Sequence, residues 1–452
     1  MSLRSSYLSF LLLISLGIVY TPAEENWPHW RGPDHNGKSS AVNLPSEWSE
    51  DKNIVWKTAL PSWSAATPII WEDQIFITSP TKIESENDQK PGQSGEIRFR
   101  NPARQPGGAD LLLICISKKD GSFLWQREIE NQNQFYRKQN SASPSPVTDG
   151  RYVWVMTGTG VITALDMQGR IIWKKNLQQE YGNFGQKFGY ASSPILYEGK
   201  LILQVVHGFN TDQPSYIVAL DRQTGEELWR QTRPSTAEEE SLDAYNTPLL
   251  LPVEGKTQII VSGGDVVTGH EMATGRELWR VKGLNPRNRK NYRIIASPIY
   301  MDGMIYVPTR QTPLLALKVN PTGILTENDI VWKWEGYAAP DVPTPVCDGK
   351  YFYMVDDNSR VTCLNAKNGQ VIWGPENIIS GIVSSSPLLA DGKLYITNEK
   401  AVTTVLLAGG EFKILSTNKL DDSYTLSSLA VSNHQLFLRT ATHLYCIGEK
   451  DK

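Results

Sequence analysis

The chain has 452 residues, 40% hydrophobic and 21% charged, with a formal net charge of −3. This composition suits one large globular domain or a few smaller ones and does not choose between them. The basic residues are scattered apart from one loop, which argues against nucleic acid as a partner.

The first element is MSLRSSYLSFLLLISLGIVYTPAEEN, with one Arg, an apolar run from Tyr7 to Tyr20 and small residues before two glutamates. The run is too short to cross a bilayer comfortably and has the three regions of a cleavable export signal. A signal peptide over 1–23 is expected, with no membrane span left after cleavage and an exported protein, periplasmic or secreted. No Cys stands at the boundary to take a lipid. Residues 24–50, including NWPHWRGPDHNGKS, read as an N-terminal arm packed against the rest of the chain. His29, Asp34 and His35 in it lack a third histidine nearby, so no metal site is predicted.

From 51 to 452 the chain repeats two phrases. One is a pair of strands about a tight turn, as in TPIIWEDQIFIT, SPVTDGRYVWVMT and SPILYEGKLILQV. The other is a strand, a turn with Gly and a strand ending in Trp, most fully ALDRQTGEELW at 219–229. The Trp copies end at Trp125, Trp173, Trp229, Trp279, Trp332 and Trp373; TVLLAGGEFKI is a worn copy with Ile414 at the Trp place. A polar insertion at 79–110 interrupts the first repeat. The eighth repeat stops at HLYCIGEKDK with no fourth strand, whereas NIVWKTAL, around Trp56, is a fourth strand with no third before it.

Pairing these ends gives an all-β fold, an eight-bladed β-propeller of four-stranded blades whose ring is closed by the N-terminal strand around Trp56. Trp56 and the six tryptophans above are predicted to be structural, each a wedge between blades. Three of the four cysteines (Cys115, Cys363 and Cys446, with Cys347 elsewhere) fill a position that is Ala or Gly in other repeats, so small buried residues are expected in place of a disulfide.

Strand alternation puts the long loops on one face. One connection there carries Glu238, Glu239, Glu240 and Asp243, and the next carries Arg287, Arg289, Lys290 and Arg293, patches that either pair or stay solvated. Residues just before each Ser/Thr-Pro step are expected nearest the channel: Trp63, Tyr190, Tyr245, Arg293, Asp341 and Tyr424. The catalytic motifs of hydrolases, zinc proteases and P-loops are absent, and no nucleophile with its base is identified.

The repeated A-L-D-x-x-T-G-x-x-x-W segments resemble the tryptophan-docking motifs of the quinoprotein alcohol dehydrogenase-like superfamily, the pyrroloquinoline quinone (PQQ) repeat propellers. The likeness runs over about 56 to 447. The leader WPHWRGPDHNG is similar to the W-P-x-x-R-G-P arm of exported bacterial propellers in that superfamily. In its dehydrogenases, the resemblance implies PQQ held over the channel beneath a disulfide of adjacent cysteines, with calcium on Glu, Asn and Asp; this chain has no adjacent cysteine pair. A second branch is the propeller lipoprotein of the outer-membrane β-barrel assembly machine, which binds a partner through its face loops.

The expected function is therefore a non-catalytic exported propeller, a monomer, binding a protein or cell-envelope component through the long-loop face, with no cofactor. The alternative is a divergent PQQ- and calcium-dependent alcohol or sugar dehydrogenase. Carbohydrate binding or hydrolysis by paired carboxylates is a third option.

Overall fold

The computed structural model describes residues 26–83 and 107–449. The signal peptide predicted over 1–23 and most of the predicted insertion lie outside these residues. The described base of the insertion starts later than expected: Ser79 and Pro80 belong to the strand Gln74–Pro80, paired with Leu111–Ser117, because the hydrophobic ladder continues through Pro80↔Leu111.

Eight sheets of antiparallel strands follow one another as blades 1 to 8: 69–130, 147–176, 195–232, 249–282, 299–334, 346–377, 388–419 and 430–447. In each the chain runs from the innermost strand outward. Blade 8 has only three strands of its own, Ala430–Ser432, Gln435–Arg439 and His443–Ile447, and takes its outermost from Ile54–Ala59, with Trp56 opposite Cys446. The ring closes as the sequence predicts. Blade 7 is five-stranded, since Lys38–Ser39 of the arm adds in parallel to Leu388–Ala390.

The repeated Trp explains how one blade grips the next. Across each sheet it faces a small third-strand residue: Cys115 opposite Trp125, Ala164 opposite Trp173, Ala219 opposite Trp229 and Cys363 opposite Trp373. All four cysteines are buried free thiols, and burial pushes Cys115 and Cys363 up to about 12, so they are small apolar fillers. The indole then donates to a carbonyl in the neighbouring blade's turn: Trp56 to Lys118, Trp125 to Met167, Trp173 to Arg222, Trp229 to Met272, Trp332 to Ala366 and Trp373 to Gly409, at 2.9–3.2 Å. Trp279 departs from this pattern because blade 5 has the lengthened turn. Its Nε1 donates instead to Gln258 Oε1 at 2.8 Å, and Gln258 Nε2 passes the link on to the Gly323 carbonyl at 3.1 Å.

The glycine of the neighbouring turn gives the indole its seat. A Cβ on Gly225, whose φ is +73°, would lie 2.7 Å from the Trp173 ring. Gly199 has a similar φ of +83° but open space around it. Gly225→Val is therefore expected to cost about 3 kcal/mol and Gly199→Ala only about 1 kcal/mol in denaturant unfolding; equal losses at the two positions would contradict this seat.

Ile414 is not the missing Trp of blade 7. The register places Ser416 opposite Val405, the position that Trp holds elsewhere, while Ile414 sits two residues earlier and is exposed. A longer turn shifted the alignment. The arm supplies the bulk: Trp48 is 3% exposed, stacks on Tyr395 at 6.3 Å and packs into the cluster shared by blades 7, 8 and 1, while its backbone N–H donates to Asn418 Oδ1.

At the channel wall, the Ser or Thr that opens each innermost strand binds the blade before it. Its hydroxyl accepts the N–H of the equivalent residue: Thr67 to Ser145, Ser145 to Ser193, Ser193 to Thr247, Thr247 to Ser297, Ser297 to Thr344, Thr344 to Ser386, Ser386 to Ser428, and Ser428 back to Thr67, at 2.9–3.3 Å. The circuit is closed. Proline after the step in seven of the eight blades has no N–H of its own and suits the start of an innermost strand, where no inner partner is needed to accept one.

Candidate functional site

The arm closes the channel on the side away from the long loops. Trp27 exchanges two backbone hydrogen bonds with Ile70 of blade 1, the Pro28 carbonyl accepts from Thr148 of blade 2, and Arg31 reaches the carbonyls of Pro345 and Pro387 in blades 6 and 7. The channel is thus a blind funnel. Its floor is Trp30, its wall includes Ser145, Ser193, Thr247, Ser297, Thr344, Ser386 and Ser428, and its volume is about 360 Å3.

His29 and His35 lie beside the floor, ring centroids 4.2 Å apart. Burial holds His29 well below its ordinary value and His35 down to about 4. Protonation is therefore easier in the unfolded chain, whose imidazoles titrate near 6.5. Stability should fall as pH drops from about 7 toward 4, where the His35 share of the loss levels off at about 3 kcal/mol, and His29 adds to the loss in the same direction. Urea unfolding at several pH values should show a shallower acid slope for His35→Gln; parallel slopes would refute the assignment.

The mouth is built from connections that fold back over the channel. The hairpin of Phe135–Tyr136 with Gln139–Asn140 projects Arg137 and Lys138 at its tip. Lys138 crosses to Glu399 of blade 7 at 2.9 Å, and Gln139 donates to the carbonyls of Phe188 and Gly189 in the next connection. Phe188 sits among three cations, with Arg137, Lys187 and Arg293 each 5.5–5.6 Å from its ring centroid.

The acidic and basic connections read from the sequence pair with each other. Lys290 meets Glu238 at 2.9 Å and Glu239 at 3.3 Å, Arg293 meets Glu240 at 3.3 Å, and backbone bonds link Tyr245 to Ile294 and Ser241 to Lys290. Asp243 accepts from the N–H groups of Lys187, Gly208 and Phe209; burial still pushes it up to about 6. Arg287 and Arg289 stay exposed at the tip of this stapled pair.

Of the six residues expected at the channel, Tyr245, Arg293 and Asp341 line the funnel. Trp63, Tyr190 and Tyr424 are buried in the walls: Trp63 packs edge-on against Tyr424 at 5.5 Å and Phe135 at 5.8 Å, and Tyr190 packs on Phe184 at 5.0 Å. The reach of the folded-back connections explains the difference, since Tyr136, Arg137, Lys138 and Phe188 take the space at the mouth. None of these four adjoins a Ser/Thr-Pro step. The visible signal for the first three is FYRKQN, a two-residue turn between short polar-aromatic strands.

The carboxylates of the funnel are Asp341 and Asp357. Asp341 lies 3.3 Å from Arg293 and 3.9 Å from Arg310; burial pushes both acids up, Asp357 to about 6. A calcium ion takes six to eight oxygen ligands. Here two guanidinium groups already oppose one carboxylate, the side chain of Asn246 is spent on Ser262 and Gln204, and no cluster of three His, Cys, Asp or Glu suited to a metal occurs among the described residues. The donor set does not fit the calcium of a PQQ dehydrogenase.

Among known proteins, the chain is 22% identical to the outer membrane protein assembly factor BamB of Yersinia pestis, covering 73% of this chain and 77% of that one. It is 21% identical to that of Salmonella typhimurium, covering 70% and 86%. The crystal structure of BamB from Moraxella catarrhalis aligns with a TM-score of 0.56 at 14% identity, over 88% of this chain and 99% of that one. The quinohemoprotein alcohol dehydrogenase of Comamonas testosteroni aligns with 0.62 at 12% identity, over 95% and 81%. These likenesses share the propeller. A family model described as outer membrane protein assembly factor BamB matches residues 109–375 and 214–452, so the chain belongs to that family of PQQ-repeat propellers.

Proposed function

We propose that this protein is an exported, non-catalytic propeller that binds a protein of the cell envelope through its long-loop face, in the manner of an outer-membrane assembly factor. Membership of the BamB family and the names of its relatives support the envelope role. The observation that carries the binding surface is the stapled pair of connections, which ties Lys290 and Arg293 back to Glu238, Glu239 and Glu240 and leaves Arg287 and Arg289 exposed at the tip. A loop held this rigidly loses little entropy on binding, and two guanidiniums with no carboxylate partner among the described residues suit an acidic partner surface.

On this reading, Lys290, Arg293 and Tyr245 shape the surface, and Arg287 and Arg289 touch the partner. The seven blade tryptophans serve only as docking wedges. Among the described residues no helix is long and apolar enough to cross a membrane.

The test is photo-crosslinking in intact cells with the reactive residue at position 288, followed by affinity measurement on the recovered partner. Arg287→Glu with Arg289→Glu should weaken binding at least about tenfold without moving the melting temperature. Crosslinks of undiminished yield in the double variant would remove this patch from the interface.

A further inference from the structure

The funnel holds more hydrogen-bond donors than its own structure consumes. Each Ser or Thr of the closed circuit accepts the N–H of the preceding blade on one of its two oxygen lone pairs. A hydroxyl also carries a proton of its own. None of the eight donates to any other group among the described residues, and seven of them line the cavity: Ser145, Ser193, Thr247, Ser297, Thr344, Ser386 and Ser428. All seven are at least nine-tenths buried.

The cations above them have the same surplus. Arg293 is 9% exposed; its terminal nitrogens meet Glu240 and Asp341, but its Nε is buried without a hydrogen-bond partner, as is the Nε of Arg310. Arg137 faces the mouth with no carboxylate partner among the described residues, only the ring of Phe188 at 5.6 Å. Of the four cations that line the funnel, Lys138 is paired with Glu399 and Arg293 with Glu240, while Arg293 and Arg310 share Asp341, whose Oδ1 is itself buried without a hydrogen-bond partner; Arg137 alone has no carboxylate among the described residues. Buried donors without acceptors are costly, and an anion with several oxygens satisfies them together.

We propose that the funnel is a receptor for a tetrahedral oxyanion of the phosphate or sulfate class, free or as the end group of a small molecule. Hydroxyl donors from several blades converge on one axis, which suits an ion with oxygens in every direction better than a flat carboxylate. Arg293 and Arg310 sit beside Asp341 at the upper wall, and Arg137 approaches from the hairpin tip. Arg287 and Arg289, the partner contacts proposed above, take no part, so either proposal can fail without the other.

The experiment is calorimetric titration of the purified full chain with inorganic phosphate, sulfate and glycerol phosphate in a chloride-free buffer, with acetate and chloride as competitors. One site for phosphate or sulfate is expected, with acetate and chloride competing at least about tenfold more weakly. Binding of glycerol phosphate as well would identify an end-group receptor, and its exclusion a site for the free ion. Arg137→Gln, at an exposed residue outside the ring, should weaken phosphate about tenfold with the melting temperature unchanged. Arg293→Gln should weaken it further. Absence of heat with both phosphate and sulfate, equal competition by acetate, or wild-type affinity in both variants would overturn the proposal.

Discussion

Arg439→Ala is expected to cost about 4 kcal/mol in unfolding free energy, among the largest losses available to one substitution in this ring. Arg439 lies on the second strand of blade 8 and is 1% exposed. It reaches across the seam into the N-terminal segment and blade 1, donating to Ser64 Oγ, to the Thr78 carbonyl at 2.5 Å and to the Ser62 carbonyl at 2.9 Å. Burial alone pulls the guanidinium down to about 9. Alanine would take the guanidinium away from these acceptors, each of which keeps one other donor (the Ala66 N–H on Ser64 Oγ, Ser64 Oγ on the Thr78 carbonyl and Ser79 Oγ on the Ser62 carbonyl), and would open a cavity where the ring joins its own beginning. Arg439→Lys should recover less than half of the loss, because an ammonium cannot serve the spread acceptors of a fork. Guanidinium titrations would read both; a loss under about 1 kcal/mol for alanine would show that the seam is held by the strand pairing of Ile54–Ala59 alone.

The second large effect is expected at Arg31. Its guanidinium donates to the Asn36 carbonyl at 2.8 Å within the arm, to Pro345 at 2.6 Å and to Pro387 at 3.0 Å. Gly37 makes room for it, since a Cβ there would stand 2.3 Å from Arg31 Cζ. Arg31→Ala should release the arm from blades 6 and 7 at a local cost of about 3 kcal/mol, while the other blade contacts persist. Limited proteolysis should then cut between 31 and 46 at least about tenfold faster than in the wild type, by the population of the released state. Gly37→Val should do the same by displacing the side chain. Equal cutting rates in wild type and both variants would mean that Trp27, Trp48 and the strand Lys38–Ser39 hold the arm unaided.

The ring was legible because each blade repeats the same constraints. A glycine must underlie an indole, a small residue must face it across the sheet, and a Ser or Thr must open the inner strand; each leaves a residue type at a fixed place. Blade 7 was misread for the same reason: its turn is longer, so counting along the chain reached Ile414, whereas the sheet register reaches Ser416 and the bulk comes from Trp48, far away in sequence. The channel was half legible. Tyr245, Arg293 and Asp341 follow from their place before a Ser/Thr-Pro step, but Trp63, Tyr190 and Tyr424 hold equivalent places and turn into the walls. Their fate depends on how far each connection folds back, which no local pattern encodes. The hydroxyl circuit was visible as a recurring Ser/Thr-Pro, but its role appears only once eight blades are in a circle.

The pairing of Ile54–Ala59 with His443–Ile447 also sets a clock. The strand needed last for closure is made among the first, so it must wait, unpaired, until nearly the whole chain has been synthesised. Contacts so distant in sequence form slowly, and an unpaired strand edge invites wrong partners in the interval. Blades 1 to 7 can assemble in order as they emerge; the seam cannot. The vulnerable period begins with the first strand and ends only when the last is in place.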